Sequence, residues 1–300
     1  MTNDGAVTLA ARLKSPWRDR RGRFSALKAT TFALLFVPGG WLAWEFATGG
    51  VGPLPLVFLI YHSGVWATWI LLASLAVTPA RHLLGWSQLI AVRRMIGVAG
   101  LAYTVLHIVI YVALDRFDWA FIANEMATRV TIMVAIASTI GLIALGVTSF
   151  DAAISRMGTR RWNQLHNLAY PAIGLGVLHW DLSPGSVAGV PFLATGIFVW
   201  LMGWRVLNRL DKGRDALMLA LLAVLSAALT LAFQIVWLLA WKGYPPAETM
   251  GYAFELTLGL DPTWCVLLLG LAVAILVGLF GPRGDSQNRL VARDVGPAYW

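Results

Sequence analysis

Eight apolar segments, at roughly 30–47, 58–78, 95–114, 128–149, 163–180, 190–207, 216–241 and 263–281, dominate the sequence. A helix rises about 1.5 Å per residue, so about 20 apolar residues cross the hydrocarbon core of a bilayer. Within lipid the backbone must satisfy its own hydrogen bonds, which makes each such segment a helix. The chain is 58% hydrophobic and 13% charged, and its mean hydropathy is +0.70. That composition cannot supply the polar surface of a soluble domain. The expectation is an all-α polytopic membrane protein of about eight transmembrane helices. Breakers fall in the connections: Gly49, Gly50, Gly52, Pro53 and Pro55, then Pro79, Pro184, Pro245, Pro246, Pro262 and Pro282.

Charge sets the orientation. The net charge is +8 and the pI about 10.1. The basic residues sit in short connections between apolar spans, so the excess reads as topology and not as nucleic-acid binding. With the N-terminus inside, the inner segments hold seven Lys/Arg (1–29), three (79–94), three (150–161), four (205–214) and three (282–300). The outer segments hold Arg116, Arg129 and Lys242, a split of 20 to 3. An even number of spans then leaves both termini in the cytoplasm of a bacterial inner membrane. Outer acids Asp115, Asp118, Glu125, Asp181, Glu248, Glu255 and Asp261 give any outside partner a mildly acidic face. Met1–Lys28 is too long and too charged for the n-region of a signal peptide and reads as a cytoplasmic tail, with a surface-lying segment near Trp17–Phe24. Tryptophans 41, 86, 119, 162, 180 and 241 fall near span ends, where interfacial anchoring explains them. No internal repeat suggests an inverted-repeat transporter. The single cysteine, Cys265, argues against an iron–sulfur cluster held by this chain and reads as a small buried hydrophobe.

Ionisable residues inside a membrane cost free energy and mark function. Lysine is absent from the span interiors and carboxylates nearly so, Glu45 lying at the outer end of the first span. Histidines are present. A proton pump or cation transporter would need buried carboxylates, whereas a heme site needs neutral imidazoles facing each other across a helix gap. His107 lies about 18 Å from the inner end of the third span, and His179 about 20 Å beyond His166 along the fifth. His107 and His179 thus share the outer half and could hold one iron, while His166 sits near the inner surface, where a second group would complete a path across the membrane. Thirteen residues at about 100° each rotate by about 220°, so His166 and His179 do not share a face of a straight helix. Pro171 lies between them; either it re-phases the pair or the two face different neighbours. His62, at the outer start of the second span, is a ligand or a propionate neighbour. His82 reads as a solvated inner-loop residue beside Pro79. The bland alternative for each is a hydrogen-bonded core histidine.

Arg93, Arg94, Arg160 and Arg161 close two inner loops. Positive-inside topology and lipid-phosphate contact account for them; the sharper reading is that they hold heme propionates, a quinone or a flavin phosphate. No Gly-x-Gly-x-x-Gly follows a strand, so NAD(P)H binding by the usual route is excluded.

The stretches TPARHLLGW, RRMIGVAGLAYTVLHIVIYVALD and TSFDAAISRMGTRRWNQLHNLAYPAIGLGVLHW resemble the heme-binding membrane subunits of the periplasmic methionine-sulfoxide reductase system, the MsrQ family. That family belongs to the ferric-reductase-like transmembrane superfamily, and the resemblance covers about residues 60 to 205. It implies heme b on His107, His166 and His179, electrons from quinone or a cytoplasmic flavin reductase, and delivery to a periplasmic molybdopterin methionine-sulfoxide reductase. FMN is a further cofactor it implies. The family's Lys-Arg-Pro at the outer start of the fourth span is reduced here to Arg129.

The organisation expected is a basic tail (1–29), a six-helix ferric-reductase-like heme core (30–207), two added helices (208–282) and a cytoplasmic tail (283–300). The function expected is transmembrane electron transfer for methionine-sulfoxide reduction. A ferric or other metal reductase on the same scaffold is the alternative, and a cofactor-free transporter or structural membrane protein is the reading from a different class.

Overall fold

The computed structural model describes residues 15–18, 22–183, 189–241, 243, 245 and 260–281. Most of both tails, the outer-loop residues Pro184, Lys242, Pro246, Glu248 and Glu255, and Pro282 lie outside the described residues. The helices are α1 (Ala26–Thr48), α2 (Pro55–Leu84), α3 (Ile90–Leu114), α4 (Trp119–Thr128), α5 (Val130–Val147), α6 (Asp151–Met157), α7 (Thr159–His166), α8 (Ala169–Leu182), α9 (Val190–Arg209), α10 (Ala216–Ala240) and α11 (Pro262–Phe280). The chain is an all-α polytopic membrane protein, and seven of its helices are long and apolar enough to cross a membrane.

The fifth apolar segment is divided between α7 and α8. Pro171 lacks the N–H that would bond the carbonyl of Asn167, and its ring crowds that carbonyl. The chain tightens there into three-residue turns, Leu168 N–H to the Leu165 carbonyl at 3.0 Å and Tyr170 N–H to the Asn167 carbonyl at 3.2 Å. Helix α8 alone, 14 residues, spans about 21 Å and falls short of the hydrocarbon thickness.

Two other prolines sit inside helices, and in each case a side chain from another helix meets the disturbed backbone. Pro79 does not end the second span, which runs on to Leu84. Its missing N–H frees the Leu75 carbonyl, and Arg205 of α9 donates Nη2 to that carbonyl at 2.7 Å. In α1, Pro38 precedes Gly39. The Tyr103 hydroxyl of α3 accepts from the Gly39 N–H at 2.7 Å and donates to the Leu35 carbonyl at 2.8 Å. It is inserted into the bond that a regular helix would close between Gly39 and Leu35.

These findings correct two sequence expectations. His82 belongs to the last turn of α2 and packs against the Trp204 ring at 5.7 Å; the hydrophobic run continues through Pro79 because Arg205 repairs the lost bond. Arg205 is no loop cation: α9 carries it, and its guanidinium turns inward. The connections hold helices too. Asp118 caps α4 by accepting from the Phe121 N–H at 3.0 Å, and Arg129 closes the same helix on Glu125 at 2.8 Å.

Helix α2 packs along α3, α5 along α8, and α9 along both α10 and α11. Leu71, Leu72, Leu75, Leu142, Leu145 and Ile173 belong to one core shared by α2, α5, α8 and α9. Trp204, Leu219, Leu222 and Ala274 join the two C-terminal helices to α9. On α10 the polar residues Ser226, Thr230 and Gln234 recur every four positions and are buried, while Leu221, Val224 and Leu225 are exposed. Polar inside and apolar outside is the pattern that lipid imposes on packed helices.

Candidate functional site

The centre of interest is built by α3 and α8. His107 and His179 bring their rings together with centroids 6.4 Å apart and planes at 76°. His107 Nδ1 lies 2.8 Å from the Ile60 carbonyl, with the Ser63 hydroxyl at 3.3 Å. His179 Nδ1 lies 3.0 Å from the Thr131 carbonyl. A carbonyl oxygen only accepts, so both Nδ1 atoms carry the proton. Both Nε2 atoms are thereby left with a free lone pair, the tautomer that a metal-binding imidazole needs.

The spacing fits a shared metal. Metal–imidazole bonds of about 2.0–2.1 Å, with each nitrogen about 1.1 Å from its ring centre, separate two opposed rings by about 6.3 Å. Gly64 makes the approach of His107 to α2 feasible. A Cβ there would lie 2.9 Å from His107 Cε1 and 3.0 Å from Nδ1. The donor set and its spacing suit an iron porphyrin, whose axial positions take imidazole nitrogens.

The other sequence candidates lie elsewhere. His166 stacks on Trp162 at 3.8 Å, and its Nε2 is 3.3 Å from the Thr148 hydroxyl. Trp162 Nε1 donates to the Thr148 carbonyl at 2.8 Å. His166 and His179 therefore both face α5, one at Thr148 and one at Thr131; the break at Pro171 brings them onto the same neighbour. His62 bonds through Nδ1 to the Phe58 carbonyl of its own helix at 2.9 Å. Its ring sits among Trp41, Phe58 and Tyr61, apart from the His107–His179 pair. Arg93 is half-buried and acts electrostatically on His166. Arg94 pairs with Asp151 at 2.8 Å, both side chains exposed, and Arg161 is exposed on α7.

Sequence reading missed Ser63, Gly64 and the Ile60 and Thr131 carbonyls, which orient the imidazoles. It also missed Arg205, although Arg205 falls inside the apolar segment 190–207, which is itself a signal of an inward-facing cation.

Residues 63–177 match the family described as ferric reductase like transmembrane component. A relative from Rhodospirillum rubrum is 36% identical over 199 residues, covering 66% of this chain and 93% of that protein. It bears the name protein-methionine-sulfoxide reductase heme-binding subunit MsrQ. The chain belongs to the MsrQ family. Relatives of the same name from Caulobacter vibrioides and Polaromonas naphthalenivorans are 37% and 36% identical, covering 57% and 63% of this chain and 82% and 88% of their own. About a third of this chain thus lies outside the match to the Rhodospirillum MsrQ. No solved structure matches the chain.

Proposed function

We propose that the chain is a heme b-binding electron-transfer subunit of the membrane, in which His107 and His179 would hold an outer heme. The observation that carries this reading is the 6.4 Å separation of two imidazoles whose Nδ1 protons are both committed to backbone carbonyls. Heme held there would supply a one-electron carrier. Ile60 and Thr131 hold the two rings in the ligating tautomer, Ser63 supports His107, and the surrounding helices exclude water. His166 marks a separate inner position, with Arg93 as its neighbouring cation.

The membership of the MsrQ family supports electron delivery to a periplasmic methionine-sulfoxide reductase, a molybdopterin enzyme. Quinone or a cytoplasmic flavin reductase is the proposed donor, and FMN the proposed further cofactor on the inner side. Arg94 and Arg161 are accessible to a partner or to lipid phosphate there. The charge split supports an inner-membrane location with both termini cytoplasmic. Reduction of ferric iron or another metal is the second reading, favoured by the ferric-reductase-like match over residues 63–177.

The test uses purified chain loaded with heme. A reduced quinone analogue, or NADPH with a flavin reductase, should reduce the heme, and the reduced heme should reoxidise on adding a methionine-sulfoxide reductase and its substrate. NADPH alone should not reduce it. Rapid reduction by NADPH alone contradicts the need for a donor, and reoxidation by ferric chelates but not by the reductase favours the second reading.

A further inference from the structure

Helix α4 is ten residues long, and only Ile122 and Glu125 of it are buried. A buried carboxylate is costly unless a charge meets it. Arg129 meets this one. Its Nη1 lies 2.8 Å from Glu125 Oε2, with the Glu125 side chain 9% exposed and the Arg129 side chain 56% exposed. The arginine thus reaches in from the surface to the acid. An exposed pair at this spacing would contribute little to stability and would not need its carboxylate buried.

Arg129 is also the one residue between α4 and α5. It ends the first helix and begins the second, in an extended conformation at φ −95° and ψ 114°. Its N–H donates to the Glu125 carbonyl at 2.9 Å, and its carbonyl accepts from the Met133 N–H at 3.0 Å. Backbone and side chain of Arg129 are therefore both tied to Glu125, and the joint fixes the direction in which α5 leaves. Thr131, two residues on, holds α8 at two points. Its carbonyl accepts from His179 Nδ1 at 3.0 Å, and its hydroxyl donates to the Leu182 carbonyl at 3.4 Å. A carbonyl in the first turn of a helix moves only with that turn. His107 is held differently, by the Ile60 carbonyl at 2.8 Å, which belongs to α2.

We propose that Glu125 is a positioning residue for the His179 imidazole, acting through Arg129 and the Thr131 carbonyl. The bearing of this contact chain on electron transfer rests on the heme reading above; the positioning of the ring does not. The bond from Nδ1 to the carbonyl fixes the tautomer and direction of the ring, and it makes Nε2 a stronger donor to a metal. Such hydrogen bonds are one lever on a heme potential. Loosening the joint would weaken the bond and favour ferrous over ferric iron.

The experiment uses the full chain in detergent with isotope-labelled histidine, first without heme. Nuclear magnetic resonance follows the exchange of each ring Nδ1–H with water. In Glu125→Ala the His179 proton should exchange about tenfold faster, the factor expected for weakening one hydrogen bond. The His107 proton should keep its rate. Glu125→Gln leaves an acceptor at the same reach and should restore most of the protection. Arg129→Ala should affect His179 as Glu125→Ala does; its side chain is exposed, so it remains informative where Glu125→Ala fails to insert. In heme-loaded Glu125→Ala the midpoint potential should rise, by about a tenfold change in the ferrous-to-ferric ratio at a fixed potential. A merely structural role for Glu125 would speed both ring protons together. Equal acceleration at His107 and His179, an unchanged His179 rate in both Glu125→Ala and Arg129→Ala, or an unchanged potential in heme-loaded Glu125→Ala overturns the proposal. Failure of the wild type to hold low-spin heme overturns the heme reading alone, and the exchange rates still decide what positions His179.

Discussion

Replacing Gly64 by alanine tests the geometry of the histidine pair without touching either histidine. The new Cβ would lie 2.9 Å from His107 Cε1 and 3.0 Å from Nδ1. Comfortable carbon contacts are about 3.5–4.0 Å, so the ring must retreat by about 0.5–1 Å. It has little room to do so. Its Nδ1 is tied at 2.8 Å to the Ile60 carbonyl, one turn earlier on the same helix as Gly64. A retreat of that size stretches the bond past the useful hydrogen-bond range of about 3.2 Å. Separating α2 from α3 instead would disturb one of the closest helix pairs in the fold. Overpacking of this kind costs about 1–3 kcal/mol, which converts to about a fivefold to hundredfold loss of heme affinity at about 1.4 kcal/mol per decade. The assay is heme content per chain together with the low-spin absorption bands. Gly97→Ala is the control, because a Cβ at Gly97 meets nothing within 4 Å. Gly64→Ala should lose heme or shift toward high spin while Gly97→Ala does not. Full heme content and an unchanged low-spin spectrum in Gly64→Ala would refute the placement of His107 against α2.

Other consequences can be checked independently. Tyr103→Phe removes the hydroxyl that bridges Gly39 and Leu35, which should lower the thermal unfolding temperature by the equivalent of about 1–3 kcal/mol; an unchanged temperature would mean that α1 recloses its own bond. Reporter fusions after Lys28 and after Trp300 should read cytoplasmic, and one inserted at Arg116–Phe117, where both residues have positive φ, should read periplasmic. A periplasmic C-terminus would overturn the span count behind the 20-to-3 charge split.

The membrane architecture was legible because apolar length is a direct consequence of bilayer thickness, and polar residues inside a span stand out against it. That is why His107, His166 and His179 were visible, and why Pro171 could be singled out as the place where the fifth segment changes phase. Pro79 was misread as an end because the freed Leu75 carbonyl is met by Arg205, 130 positions further along the chain. His82 was misplaced with it. The partners of the imidazoles were not legible at all: Ile60 and Thr131 act through their carbonyls, so their side chains carry no sign of the role. Gly64 matters only because His107 of another helix lies on it. Arg94 and Arg161 look like Arg93 in sequence, and only the structure separates the two exposed arginines from the half-buried one.

The most direct test of the central claim is the optical and electron-paramagnetic-resonance spectrum of heme-loaded chain carrying His107→Ala or His179→Ala. The two histidines come from different helices, and each ring has its Nδ1 held by a backbone carbonyl. Both variants should insert in the membrane and lose most of the low-spin b-type signal, while His82→Ala keeps it and His166→Ala leaves the outer signal in place. A full low-spin spectrum in either His107→Ala or His179→Ala, or its loss in His62→Ala instead, would contradict the assignment of the outer heme to this pair.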